Sequence, residues 1–119
     1  MNVAILGASP KHDRYSYKAF QMLKKHGHKV FLVNPGQTEI EGEICYPDLR
    51  AIPETIHTIT VYVGPRHSGG FAQQIIERNP DRVIFNPGSE NFDLIEELMS
   101  EKIVCTQACT LVMLSTNQF

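Results

Sequence analysis

The stretch Met1 to Ser16, MNVAILGASPKHDRYS, constrains the fold more than any other part of the chain. Val3, Ala4, Ile5 and Leu6 are apolar without alternation, as expected of a strand covered on both faces. Gly7 ends the run and permits a sharp turn, Ala8 and Ser9 are small, and a polar, basic segment leads into a helix. Strand, tight turn and helix N-terminus in that order put free N–H groups and the positive end of a helix dipole beside the turn. An anion fits there.

The rest of the chain repeats the alternation. Tyr15, Ala19, Phe20, Met22 and Leu23 on one face, with Lys18, Lys24 and Lys25 toward another, predict an amphipathic helix from Ser16 to His26, capped by Ser16 and ended at Gly27. Lys29 to Val33 is a second buried strand stopped by Asn34-Pro35-Gly36, which completes one βαβ unit with parallel strands. Glu39, Glu41 and Glu43 alternate with Ile40, Gly42 and Ile44 as in a short edge strand, and Tyr46-Pro47-Asp48-Leu49 opens a brief helix that Pro53 closes. Thr58 to Val63 is a β-branched strand halted by Gly64-Pro65. Ser68 to Arg78 is a helix weakened in its first turn by Gly69 and Gly70. Arg82 to Phe85 is a strand ended by Asn86-Pro87-Gly88, Asn91 caps a helix with Leu94, Ile95, Leu98 and Met99 inward, Ile103 to Cys105 is a further strand, and Cys109 to Leu114 forms a last turn or helix. These elements predict a doubly wound α/β fold with a mostly parallel five-stranded sheet and helices on both faces. Such sheets bind ligands beyond the carboxyl ends of their strands, where four turns would line one crevice.

At 119 residues the chain reads as one domain over its whole length, 1–119. Its formal net charge of -2 gives no general attraction to nucleic acid or to an anionic membrane, so a basic site has to be local. Cys45, Cys105 and Cys109 are odd in number and widely spaced, which suits reduced thiols in a cytoplasmic protein better than a disulfide framework. No run approaches the ~20 apolar residues that span a membrane, so a cytoplasmic location is expected.

The turn after Leu6 has one glycine where the dinucleotide fingerprint has three, and it lacks the Lys-Ser/Thr pair of a P-loop. Asn34 ends the second strand where a nicotinamide dinucleotide favours a carboxylate for its ribose. A ligand richer in phosphate finds cations in Lys11 and Arg14 and hydrogen-bond donors in Ser9, Tyr15 and Ser16. The histidines show no metal-ligand spacing, Cys105 and Cys109 do not form C-x-x-C, and Glu90 has no visible nucleophile or base partner. Neither a catalytic group nor a metal site is expected.

The segments VAILGASPKHDRYSYKAFQML, HGHKVFLVNPG, EGEICYPDLRAIP, NPGSEN and QACTLVML resemble the small coenzyme A-binding domain proteins, which are similar to the N-terminal domain of the succinyl-CoA synthetase α subunit. The resemblance implies a Rossmann-like domain that binds coenzyme A. It further implies that Gly7, Ala8, Ser9, Pro10, Arg14, Tyr15 and Ser16 hold phosphates and that Asn34, Pro35 and Gln37 contact the adenosine side. By the same resemblance Val63, Gly64 and Pro65, with Asn86, Pro87 and Gly88, border the adenine or the pantetheine arm. Where the synthetase domain carries a lysine after its Pro-Gly turn, this chain has Gln37, and it has no counterpart of the ligase domain that bears the catalytic histidine. The expected function is therefore binding of coenzyme A or acyl-CoA without catalysis, as a cofactor-binding or sensing module with room for a protein partner. The alternatives are an NAD(P)-binding or an acyl-CoA-using small enzyme.

Overall fold

Every continuous apolar run named above becomes a strand of one sheet. The computed structural model covers Met1–Phe119. Its strands are β1 (Asn2–Leu6), β2 (Lys29–Val33), β3 (Glu39–Ile40), β4 (Glu43–Tyr46), β5 (Thr58–Val61), β6 (Arg82–Phe85) and β7 (Val104–Gln107). The helices are α1 (Tyr15–Lys25), α2 (Pro65–Ser68), α3 (Ala72–Arg78), α4 (Phe92–Ser100) and α5 (Thr110–Ser115). Strand order is β3-β4-β2-β1-β5-β6-β7, parallel throughout except for the antiparallel β3–β4 pair. The chain winds outward from β1 to one edge, then returns to β5 on the other side of β1 and winds to the opposite edge. The β1–β5 boundary is thus the switch point of the winding, and a crevice opens at its carboxyl end.

Because side chains alternate across a strand, each central strand feeds two cores. Val3, Ile5 and Leu32 pack under α1 and α5 with Phe20, Leu23 and Leu114. Ala4, Leu6, Phe31 and Phe85 pack on the other face with Leu49, Ile75, Leu94 and Leu98. Phe20, Phe85, Leu23 and Ile75 are fully buried, and burial of such side chains stabilises the fold by about 1.5–3 kcal/mol each. The α/β fold with a mostly parallel sheet and helices on both faces is as expected from the sequence.

Several expectations are corrected. The sheet has seven strands rather than five. The alternating glutamates do not form one edge strand but a hairpin: Glu41 and Gly42, at φ +53° and +77°, make a two-residue turn between β3 and β4, and β4 then pairs in parallel with β2. Helix α1 starts one residue before Ser16, with Arg14 in the capping position and no side-chain cap. Ser16 is therefore a buried first-turn residue and not the N-cap. The helix expected from Ser68 to Arg78 is broken at its glycines into α2, a 3-10 turn over Gly69–Phe71, and α3. Strand β5 ends at Val61, two residues short of Val63, and β7 runs on to Gln107. Asn91 caps α4 as expected, its side-chain oxygen accepting from the Leu94 N–H.

Candidate functional site

The floor of the crevice is the turn at the end of β1. Gly7 has φ +96°, and a Cβ there would lie 3.0 Å from Val63 Cγ1 and 3.1 Å from the Tyr62 backbone carbon. Only glycine lets β1 turn this close to the end of β5. The N–H groups of Gly7 and Ala8 both donate to the Val33 carbonyl, at 3.0 and 3.1 Å. These two amides are therefore engaged within the fold. Asn34 ties the two strand ends together, its Nδ2 donating to the Ala8 carbonyl at 2.7 Å and its Oδ1 accepting from the Gly36 N–H at 2.8 Å.

Donors that remain for an anion come from the next turn and from α1. The first hydrogen bond of the α1 ladder runs from the Lys18 N–H to the Arg14 carbonyl, so the amides of Tyr15, Ser16 and Tyr17 precede it. No side chain caps them and the first turn holds no acidic residue. Lys11 and Arg14 are exposed, form no ion pair, and line the cavity beside this helix start. The cavity measures about 380 Å³ and has no carboxylate and no imidazole in its lining. Its local charge is positive although the chain's is not.

The opposite wall is the turn after β6. Asn86 is 3% exposed and sits at the centre of a buried network. Its Nδ2 donates to Thr60 Oγ1 at 2.7 Å and to the Val61 carbonyl at 2.9 Å, while its Oδ1 accepts from the Thr110 N–H at 2.9 Å. Thr60 and Thr110 share a hydrogen bond at 2.8 Å, and the Ser89 hydroxyl donates to the Asn86 carbonyl at 2.7 Å. One residue thereby fixes β5, the 86–89 turn and the start of α5. Beside this network lies the buried Tyr62 hydroxyl, its pKa pushed up to about 12 by burial against the opposing effect of the neighbouring Thr60 and Thr110 hydroxyls. A second cavity of about 220 Å³ continues from the first, sharing Tyr15, Tyr62, Asn86 and Pro87 and adding Cys109 and Leu111.

Of the residues singled out in the sequence, the crevice brings together Gly7, Ala8 and Ser9 with Arg14, Tyr15 and Ser16. From the other strand ends it adds Asn34, Gly64, Asn86, Pro87 and Gly88. Pro10, Pro35, Gln37, Val63 and Pro65 stand outside its lining. The polar atoms of the Asn34 and Asn86 side chains are occupied by the fold, so both act as braces. Tyr62 and Ser89 line the crevice without having been singled out. Each lies beside a strand-ending turn already recognised, which is the signal that would have found them.

Other polar clusters lie elsewhere. His12 stacks on Tyr17 at 4.3 Å, and both contact Glu41 on the hairpin, whose carboxyl is held below its ordinary pKa by these hydrogen bonds. Glu90, itself outside the lining, accepts at 2.8 Å from the N–H of Gly88, which lines the crevice. A groove of about 340 Å³ along β2 has its lysines paired, Lys24 with Glu43 and Lys29 with Glu54. No three His, Cys, Asp or Glu side chains are grouped to hold a metal ion, and no helix is long and apolar enough to cross a membrane.

Comparison with known proteins bears on the fold and the family. The chain is 34% identical over 61 residues to acetate–CoA ligase [ADP-forming] I of Archaeoglobus fulgidus, a match covering 51% of this chain and 9% of that enzyme. The matched segment thus spans less than a tenth of that relative's length. The crystal structure of an uncharacterized protein has the same fold at 39% identity, with a TM-score of 0.93 and coverage of 99% of this chain and 97% of the other. The dinucleotide-forming acetyl-coenzyme A synthetase 1 of Candidatus Korarchaeum cryptofilum shares the fold at 18% identity, with a TM-score of 0.78 and coverage of 90% and 25%. A family model described as a CoA binding domain matches residues 1–115, so the chain belongs to the family of CoA-binding domains.

Proposed function

We propose that this protein binds coenzyme A or an acyl-CoA in the crevice at the β1–β5 switch point and acts as a cofactor-binding or sensing module. The observation that carries the reading is the uncapped start of α1 flanked by unpaired Lys11 and Arg14 in a cavity without carboxylates. That arrangement suits a ligand with several phosphates. Membership of the CoA-binding family selects coenzyme A among such ligands. Phosphates would lie over Ser9, Arg14, Tyr15 and Ser16, with the adenosine on the Asn34 side. The nicotinamide alternative is less well served, because Asn34 is neutral and its amide is already engaged with Ala8 and Gly36. Binding rather than chemistry is proposed, since the crevice offers no imidazole or carboxylate to move a proton. The ligase activity of the Archaeoglobus enzyme is not carried over from a match to 9% of its length.

A thermal-shift series with coenzyme A, dephospho-coenzyme A, NAD and NADP tests this. Coenzyme A is expected to raise the melting temperature most, since ligand at about 100 times its Kd adds about 2.7 kcal/mol of stability. A shift with NAD and none with millimolar coenzyme A would overturn the reading.

A further inference from the structure

The two edges of the sheet differ. One is closed by the hairpin: β3 is two residues long, and Glu39, Glu41 and Glu43 put charge along it. Short length and charge keep an edge from pairing with a further strand. The other edge is β7, Val104–Gln107, and it has no such protection. From Ile103 to Cys109 the chain carries no charge and no proline. The Ala108 N–H donates inward to the Phe85 carbonyl at 3.2 Å, so by alternation along the strand the backbone groups of Cys105 and Gln107 point away from β6, where no strand lies beside them.

Helix α4 widens this edge with an apolar flank. Phe92, Ile95 and Met99 are spaced by three and four residues, so they share one side of the helix, next to the inward Leu94 and Leu98. The right-handed crossover from β6 through α4 to β7 turns that side outward over the β7 edge, and turns Asp93 and Glu97 toward α3. Phe92 and Met99 are 67% and 58% exposed, and Val104, on the other face of β7, is 59% exposed. Three of the seven large apolar or aromatic side chains exposed on the whole chain thus lie along one border. Apolar surface gathered in this way marks an interaction site.

Charge and symmetry decide what covers it. The strand and the flank are uncharged and the carboxylates of α4 are turned away, so an identical border meets no repulsion there. Pairing of like with like also requires a pattern that reads the same in both directions. The outward groups of Cys105 and Gln107 stand on either side of Thr106, and Phe92 and Met99 stand on either side of Ile95.

We infer that β7 and α4 form the interface of a symmetric dimer, in which β7 pairs antiparallel with β7 of a second copy of this chain. Cys105 then bonds to the second copy's Gln107 across a twofold axis at Thr106, and Phe92 packs toward the second copy's Met99. The seven strands of one copy continue into the seven of the other, and the two crevices open at opposite ends of the joint sheet. This pairing is independent of the ligand that the crevice holds.

Sedimentation of the unliganded chain tests the inference. Two short edges make a modest contact, so a dimer with a Kd on the order of 10 µM is expected. Met99→Lys, at an exposed position outside the crevice, should weaken self-association by about tenfold or more, whereas Ile44→Lys, a comparably exposed apolar position near the other edge, should leave it unchanged. Thr106→Cys checks the register, because a residue on the axis faces its own copy at a Cα separation of about 4.5 Å, within reach of a disulfide. With a mild thiol oxidant it should form covalent dimer far faster than the wild-type chain or Val104→Cys. A chain that stays monomeric at millimolar concentration would overturn the inference. So would a dimer lost in Ile44→Lys and kept in Met99→Lys, or one that Thr106→Cys fails to cross-link. The wild-type measurement needs no variant, so the test survives a substituted chain that fails to fold.

Discussion

Gly7 does two things that no other residue type can do at that position. It turns the chain at φ +96°, and it leaves room for the end of β5 within about a van der Waals contact. Gly27 also has a positive φ, +84°, but nothing lies within 4 Å of where its Cβ would be. The pair separates backbone strain from crowding. Gly27→Ala should cost on the order of 1 kcal/mol, and Gly7→Ala should cost more, about 2–3 kcal/mol, as measured by urea unfolding of the two variants. Equal losses would mean that the end of β5 yields to the added methyl group. The importance of Gly7 was legible in the sequence from its place after an apolar run. Tyr62 was not, because TITVYV reads as one strand through Val63 and only the early end of β5 at Val61 frees its side chain to line the crevice.

At the scale of elements, the long parallel strands were legible because burial on both faces leaves no polar positions in them. The hairpin was not. Three glutamates at alternate positions fit one edge strand as well as two short strands joined by Glu41-Gly42, and the choice is made by pairing of β4 with β2, which local sequence does not encode. The turns were legible as strand endings and as candidates for one crevice, but not which of their side chains face it. Pro10, Pro35 and Gln37 look equivalent in sequence to residues that line it. Asn86 shows the same limit. As part of an Asn-Pro-Gly turn it reads as a ligand contact, while the structure uses its amide to join β5, β6 and α5. Asn86→Ala should therefore destabilise the whole domain by about 3 kcal/mol, through the orphaned Thr110 N–H and Thr60 hydroxyl, in denaturant unfolding of the unliganded protein. A loss under about 1 kcal/mol would show that water replaces the amide.

For the molecule as a whole, the shifted groups that titrate on the acid side, His28, Glu41 and Glu77, act in one direction. His28 is held below its ordinary value of 6.5, first by burial and then by the charge of the N-terminus. Its unfolded form binds a proton more readily, so its contribution is complete above that value and is lost as pH falls through it. Glu41 and Glu77 are held below the usual 4.5, by His12 and Tyr17 in one case and by Arg50 in the other. Their contribution is present above the unfolded value and is lost as pH falls toward the lower folded value. Melting temperature should accordingly decline in two stages on acidification, one below about pH 6.5 and one below about pH 4.5. His28→Gln should flatten the first stage alone; a first stage unchanged in that variant would assign it to another group. The lacing of the β1 turn to β2, through Gly7, Ala8 and Asn34, bears on time as well as on shape. A floor already fixed by folding has little left to order when a ligand arrives, so association need not wait on a rearrangement. The lifetime of the complex, set by how fast the ligand leaves, then becomes the quantity through which changes in the crevice alter occupancy.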